Sequence, residues 1–447
     1  MIKNLQRVSG LVILGLLFHL SPVSGMENRD PRKATVRQVP SQDKAVYVAK
    51  DWLEAIKKTY QNTNNPSQSH ISVNANIITE ASMLKAFENA AQKGVNVELL
   101  ISEDSLQYMK KSPEWTAFLQ NPTFPVKIFV SGTSGTDHAK FFLTKYTDKN
   151  DTMNWFYSIG SANFTPMGMF HSNEVIQIVE NKDFENYKKL QKTFNELYQM
   201  GIDYRGQTKK ELHEQQARES QAVVVTPQRP KQKAIVTTPE ERQIYSTIET
   251  FIWETIAGRF KRYDIGEEKS GDVYISSMTW NSPELTQQLM QLHEDKFNIE
   301  IFVDKAVLRN NTSKKQLFKL VEDGVKVYVY FGDGYKIQHA KFVLIKKMVK
   351  GKATSSVSST TQNVSVDNVD TDLLVIDPGK EVTEDYLKIV DSYRKNQNMH
   401  LLTHENFDGM VRQANSTASS SRKPKRKLLE LDLSQDDAEQ EKRQRTK

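Results

Sequence analysis

A histidine and a lysine two residues apart occur twice in this chain, as His138/Lys140 and His339/Lys341. Imidazole attacks electrophiles or moves protons near neutral pH, and an ammonium holds negative charge, so the pair suits work on a phosphate. One such pair is commonplace, but here the surroundings repeat as well. His138-Ala139-Lys140-Phe141-Phe142-Leu143-Thr144-Lys145 and His339-Ala340-Lys341-Phe342-Val343-Leu344-Ile345-Lys346 agree at six of eight positions. The apolar, β-branched and aromatic run reads as a buried strand. On a strand the histidine and lysine face the same way, roughly 7 Å apart, while the alanine and phenylalanine pack on the other side.

A second group follows the first pair. In Gly160-Ser161-Ala162-Asn163 the glycine permits a tight turn, and Ser161 and Asn163 supply donors for a phosphoryl oxygen. Glu174 then opens the apolar run Val175–Val179. A carboxylate there can accept the Nδ1 proton of a histidine, fixing its tautomer and freeing Nε2 to attack. His171, close by, reads as a loop residue, and Trp253 and Trp280 read as core.

The elements that must position these groups are duplicated too. Val126–Val130 precedes the first pair and Val325–Val329 the second. Further upstream, Ile71–Ile78 corresponds to Val273–Trp280, and Val95–Ile101 to Ile299–Asp304. A strand–helix–strand unit thus recurs about half a chain apart. The expected fold is α/β, with two similar mixed-sheet lobes, each flanked by helices.

His-x-Lys followed by Gly-Ser-x-Asn, in duplicate, resembles the phospholipase D superfamily. In the second copy Thr360-Thr361-Gln362-Asn363 stands in place of Gly-Ser-x-Asn, and Asp372 in place of the glutamate. Thr361 then aligns with Ser161, and Asn363 with Asn163. The family's aspartate five residues after the lysine is replaced by Lys145 and Lys346, a loss shared with relatives such as the tyrosyl-DNA phosphodiesterases. The resemblance implies two lobes related by a pseudo-twofold axis, with one histidine from each meeting at the interface. It implies a phosphohistidine mechanism, with His138 as nucleophile and His339 as acid. The residues alone do not order the two. It further implies that Lys140, Lys341, Asn163 and Asn363 bind the non-bridging oxygens. Neither cofactor, nor metal, nor partner subunit is required.

Composition bounds the remainder. The chain has 447 residues, no cysteine and a formal charge of +6. Disulfides, thiolate catalysis and cysteine-rich zinc sites are therefore excluded. Two surplus charges lie in residues 1–25 and three in 421–447, leaving the body near neutral and a nucleic-acid surface weakly indicated.

Residues 1–25, with Lys3 and Arg7 ahead of an apolar stretch and Val23-Ser24-Gly25 as a cleavage site, read as a secretory signal peptide. Residues 26–40 read as disordered, 41–200 as the first lobe and 201–237 as a linker with some helix at its start. Residues 238–407 read as the second lobe, opening with the helix-capping pattern Thr238-Pro239-Glu240-Glu241 ahead of Ile244, Ile248 and Phe251. Residues 408–447 read as a disordered basic tail, whose clusters at 422–427 and 442–445 resemble a nuclear-import signal. The expected function is an exported phosphodiesterase that hydrolyses phospholipid head groups or transfers a phosphatidyl group, in contact with a membrane surface. A nuclease acting on DNA or RNA and a catalytically weak phosphate-binding protein are the alternatives.

Overall fold

The computed structural model describes residues 35–39, 48–130, 137–170, 172, 174–222, 243–246, 270–332, 336–349, 352–365, 372–377 and 380–419. The readings of 1–25 and of the basic clusters beyond 419 lie outside these residues, as do those of His171 and Trp253.

Two eight-stranded sheets carry the chain. In the first, the strands run Thr35–Val39, Glu174–Glu180, Met153–Gly160, Phe141–Thr147, His70–Ala75, Asn96–Ser102, Val126–Phe129 and Ile202–Asp203. In the second they run Gln243–Ser246, Leu373–Asp377, Lys352–Thr360, Phe342–Val349, Gly271–Ser277, Phe297–Asp304, Lys326–Tyr330 and Met399–Leu402. The two lists correspond position for position. Within each, the fifth to seventh strands are mutually parallel and the flanking pairings antiparallel. The Ser/Thr/Val-rich stretch after Lys346 is the return strand of a hairpin, Val343 opposite Ser358.

Strand chemistry explains the layering. Phe141 and Leu143 point to one face and Phe142 to the other, and all three are buried. Each such side chain contributes roughly 1.5–3 kcal/mol by burial. One face of each sheet is covered by helices, among them Val48–Asn62, Ala81–Gln92 and Pro113–Gln120 in the first lobe and Pro283–Glu294 and Asn311–Glu322 in the second. Ser282 and Asn310 start the two second-lobe helices by accepting backbone N–H bonds, from Leu285 and from Thr312 and Ser313.

The other face of each sheet joins the lobes. Helix Phe184–Met200 buries Tyr187, Leu190, Phe194 and Leu197 at helical spacing. These pack against Phe141, Tyr157 and Ile159 of their own sheet and against Ile244, Leu373 and Val375 of the other lobe. Reciprocally, Val382, Tyr386 and Val390 of helix Lys380–Arg394 pack with Phe342 and Leu344, and with Val175 of the first lobe. Each lobe's interior helix therefore covers the partner sheet's edge, and the two cannot separate without exposing both clusters.

Four expectations change. Thr35–Val39, expected in a disordered leader, is an edge strand paired with the strand that begins at Glu174. Ile244, expected in a helix, lies in a strand paired with Leu373–Ile376, because burial against Leu373 and Val375 outweighs the capping pattern upstream. The rest of that expected helix lies outside the described residues. The first lobe continues past residue 200 through Ile202–Asp203 and helix Lys209–Ala222, where Leu212 is buried in the first core. Residues 408–419, expected in the disordered tail, continue a helix that begins at the end of the second lobe, Phe407–Ser419, whose Phe407 and Ala414 are buried in the second core.

Candidate active site

His138 and His339 meet at the junction of the lobes, their ring centroids 6.5 Å apart and the rings inclined at 74°. Each sits just ahead of the strand that its own sequence predicts, which begins at Phe141 or Phe342. Lys140 Nζ donates to the carbonyl oxygen of His138 at 2.6 Å, and Lys341 Nζ to that of His339 at 2.7 Å. Each lysine thus ties down its own histidine's backbone while its charge stays beside the rings.

The carboxylates cross over. Asp372 of the second lobe lies 2.9 Å from His138 Nδ1, and Glu174 of the first lobe 2.8 and 2.9 Å from His339 Nδ1. Both Nδ1 protons are thereby engaged, which leaves each Nε2 as the free nitrogen. Both carboxylates are fully buried, whereas the His138 side chain keeps 15% of its surface exposed.

The hydroxyls of Ser161 and Thr361 lie beside these carboxylates. Thr361 Oγ1 donates to Asp372 Oδ1 at 2.7 Å and accepts the Leu373 N–H at 2.9 Å. Ser161 Oγ accepts the Val175 N–H at 3.1 Å and donates to the Val175 carbonyl at 3.4 Å, one residue after Glu174, whose carboxyl it helps to lower. The worn second motif keeps the backbone of the first. Gly160 and Thr360 donate to the Lys140 and Lys341 carbonyls, and Ser161 and Thr361 to those of Val175 and Leu373. This equivalence fixes the pairing of Thr361 with Ser161 and of Asn363 with Asn163. Asn163 Oδ1 is buried and has no hydrogen-bond partner among the described residues.

Gly160 is required for a reason other than a turn. A Cβ there would meet the Val175 carbonyl oxygen at 2.5 Å and Ile176 Cα at 2.8 Å. Gly168, which the sequence reading passed over, likewise lets a helix approach Asn163, whose carbonyl oxygen would lie 2.5 Å from a Cβ. Lys145 and Lys346 lie roughly 16 Å along their strands from Lys140 and Lys341. There they pair with His70 and Asp272 at the far end of the sheet, so the missing family aspartates leave the histidines untouched.

The electrostatics follow from burial. Burial, with Lys140 and Lys341 nearby, pushes the His138 imidazolium down to about 4, although Asp372 works against the shift. Burial and Lys341 lower His339 against the pull of Glu174. Lys341 falls to about 7 through burial and the charge of Lys140. Burial raises the Glu174 carboxyl, but the charge and hydrogen bond of His339 and the charge of Lys341 outweigh it, and its net shift is downward. Asp137, which was not singled out from the sequence, is completely buried, and burial pushes its carboxyl up to about 7. The signal was thin, since the second copy carries Gln338 at that position. Among the described residues no group of three metal-ligating side chains occurs, and no helix is long and apolar enough to cross a membrane.

Comparison with known proteins agrees with this geometry. Residues 61–198 and 268–394, more than half the chain, match the family described as "Cardiolipin synthase, PLD-like domain". Among solved structures, phosphatidylserine synthase of Haemophilus influenzae Rd KW20 superposes with a TM-score of 0.55 at 14% identity, covering 87% of this chain and 95% of that one. Polyphosphate kinase of Porphyromonas gingivalis gives 0.48 at 13%, covering 87% of this chain, which spans only 56% of the kinase. Yeast tyrosyl-DNA phosphodiesterase gives 0.42 at 10%, covering 77% and 90%. No curated protein matches the chain by sequence.

Proposed function

The chain belongs to the phospholipase D superfamily, whose members act on phosphodiesters, and from that premise we propose that it is a phosphodiesterase working through a phosphohistidine on phospholipid head groups. The observation that carries this reading is the meeting of the two rings at 6.5 Å, each with Nδ1 held by a carboxylate of the other lobe.

In the proposed first step His138 Nε2 forms a bond to phosphorus, and the bond from phosphorus to the head-group oxygen breaks. That oxygen takes a proton from His339. In the second step His339 removes a proton from water, the water oxygen bonds to phosphorus, and the phosphorus–nitrogen bond breaks. An acceptor alcohol in place of water gives phosphatidyl transfer. Lys140, Lys341, Asn163 and Asn363 hold the non-bridging oxygens and stabilise the charge that builds there. What supports this order is the greater exposure of the His138 side chain, 15% against 6% for His339, which leaves a neutral ring open to attack. A bound phosphodiester anion adds negative charge between the rings and favours protonation of His339 for its acid role. The intact backbone of the second motif favours turnover over mere binding. The export signal read at residues 1–25 and the neutral body fit a membrane-surface substrate.

The test uses purified protein with vesicles of head-group-labelled phosphatidylcholine and phosphatidylglycerol, and in parallel with plasmid DNA. Head-group release, an alkali-stable protein phosphate, and loss of both in His138→Ala are expected. Cleavage of plasmid alone would assign the same site to nucleic acid, and cleavage of neither substrate, with no adduct, would overturn the reading.

A further inference from the structure

The backbone beside each histidine is pinned by a buried carboxylate, and the two carboxylates come from different places in the fold, Asp137 from the position just before His138 and Asp304 from the end of strand Phe297–Asp304. In the first lobe Asp137 Oδ1 accepts the N–H of Ala139 at 3.3 Å, one residue after His138, and the side-chain amide of Asn74 at 3.1 Å. In the second lobe Asp304 Oδ2 accepts the N–H of Gln338 at 3.0 Å, one residue before His339. Its other oxygen accepts the Ala306 N–H at 2.8 Å. Register shows what has been exchanged. Asn74 lies opposite Phe141, and Ser276 opposite Phe342, so these two are equivalent. Ser102 and Asp304 end the equivalent neighbouring strands. The first lobe thus carries Asp at the position before the histidine and Ser at the strand end, whereas the second carries Gln and Asp.

The supporting bonds are conserved in kind. Asn74 Nδ2 donates to the Ala139 carbonyl at 2.9 Å, and Ser276 Oγ to the Ala340 carbonyl at 2.9 Å. Gln338 Nε2 donates to Ser276 Oγ at 2.7 Å, filling the space that Asp137 fills in the other lobe. Asp137, Ser102, Gln338 and Asp304 are all buried. Asp137 Oδ2 and Ser102 Oγ have no hydrogen-bond partner among the described residues, so the first lobe's pocket is the less completely satisfied.

We propose that Asp137 and Asp304 are equivalent positioning residues, each fixing the backbone segment from which one histidine is presented. A backbone N–H bound to a buried carboxylate is a strong, charge-assisted contact when the acid is ionised, and it locks the peptide plane next to the ring. The charged and titratable groups facing Asp137 are Lys140, Asp372 and the adjoining His138, and those facing Asp304 are Lys305 and Arg309.

Turnover of bis(p-nitrophenyl) phosphate is compared with the histidine-ring ¹⁵N NMR signals of the same variants, assigned through His138→Asn and His339→Asn. Asp137→Ala and Asp304→Ala are expected to lower kcat by about 10²-fold with KM changed far less, as misplacement of a reacting group does. Asp137→Ala should shift the His138 ring signals and leave those of His339, and Asp304→Ala the reverse. Asp137→Asn keeps an acceptor and should retain most activity. Asp137→Gln should lose it, and adding Ser102→Asp, which rebuilds the second lobe's arrangement, should restore it. A role in stability alone would lower the melting temperature without this rescue. Folded alanine variants with unchanged kcat and unshifted rings would overturn the proposal. Only the kinetic arm rests on the phosphodiesterase reading. Should the wild-type protein fail to turn over, the ring signals decide on their own, and should the alanine variants fail to fold, the glutamine variant and its rescue decide.

Discussion

At the scale of single residues, the site sets its own pH range. In the proposed mechanism His138 must be neutral to attack, and it loses its proton near 4 because burial and two lysines oppose the imidazolium. Lys341 must be charged to hold a phosphoryl oxygen, and burial lets it lose its proton near 7. Activity should therefore peak between these values, on the acid side of neutrality. A kcat/KM profile rising only above pH 8 would contradict both assignments. Asp372 supports the His138 imidazolium, so Asp372→Asn should move the acid limb to lower pH. It should also cost on the order of 10²- to 10⁴-fold in kcat, because an amide no longer dictates the tautomer. Glu174→Gln should cost a similar factor through His339, and steady-state kinetics across pH 3–9 check both. These roles were only partly legible in the sequence. Glu174 was readable as a histidine's carboxylate, but which histidine it serves depends on how two lobes dock, and local spacing holds no record of that. Nor did the sequence signal that the Thr361 hydroxyl would be turned onto Asp372, since that contact again depends on the folded strand pair.

At the scale of elements, the approach of strand Glu174–Glu180 to Gly160 sets where Glu174 sits. Gly160→Ala would drive a methyl into the Val175 carbonyl and Ile176 Cα, one and two residues beyond Glu174. Overpacking of this kind costs about 1–3 kcal/mol. The variant should lower the unfolding midpoint, and it should lower kcat in the folded fraction because the carboxylate shifts away from His339. Undiminished kcat per folded molecule would show that this contact does not set the carboxylate's position. Thr360, the equivalent residue, carries its Cβ without conflict and donates Oγ1 to the Leu373 carbonyl at 2.9 Å, so the second lobe should tolerate Thr360→Ala far better. Elements with strong local patterns were legible: the paired strands after each histidine and the face of helix Phe184–Met200. Thr35–Val39 and Gln243–Ser246 were not, since four or five residues become a strand only when a waiting sheet edge completes their hydrogen bonds. Their symmetry is informative afterwards, because each edge strand braces the strand next to a carboxylate that holds a histidine.

At the scale of the molecule, duplication places both halves of one reaction centre in a single chain. A single-copy protein of this design would need a symmetric dimer to bring two histidines together. Here the two clusters that lock the lobes, around Phe194 with Leu373 and around Tyr386 with Val175, span both halves. Gln177 also donates to the Tyr386 hydroxyl across the junction at 3.3 Å. A site completed within one chain makes a definite prediction. Inactive His138→Ala and inactive His339→Ala proteins, mixed in equal amounts and allowed to exchange, should recover no activity, because neither chain can lend its intact lobe to the other. Recovery towards roughly one quarter of the wild-type rate, the statistical share of hybrid sites if subunits exchanged freely in a C₂ dimer, would mean that the working site forms between chains. The same reasoning extends to the junction itself. Val175→Asp places a carboxylate in the apolar cluster that includes Phe342 and Tyr386, next to Glu174. An unpaired buried charge is costly enough to open the contact. The expected result is loss of activity together with cooperative loss of stability of both lobes, since the two share these clusters. Two separate melting transitions, with the second lobe unaffected, would show that the lobes are held together more weakly than their interlocked helices imply.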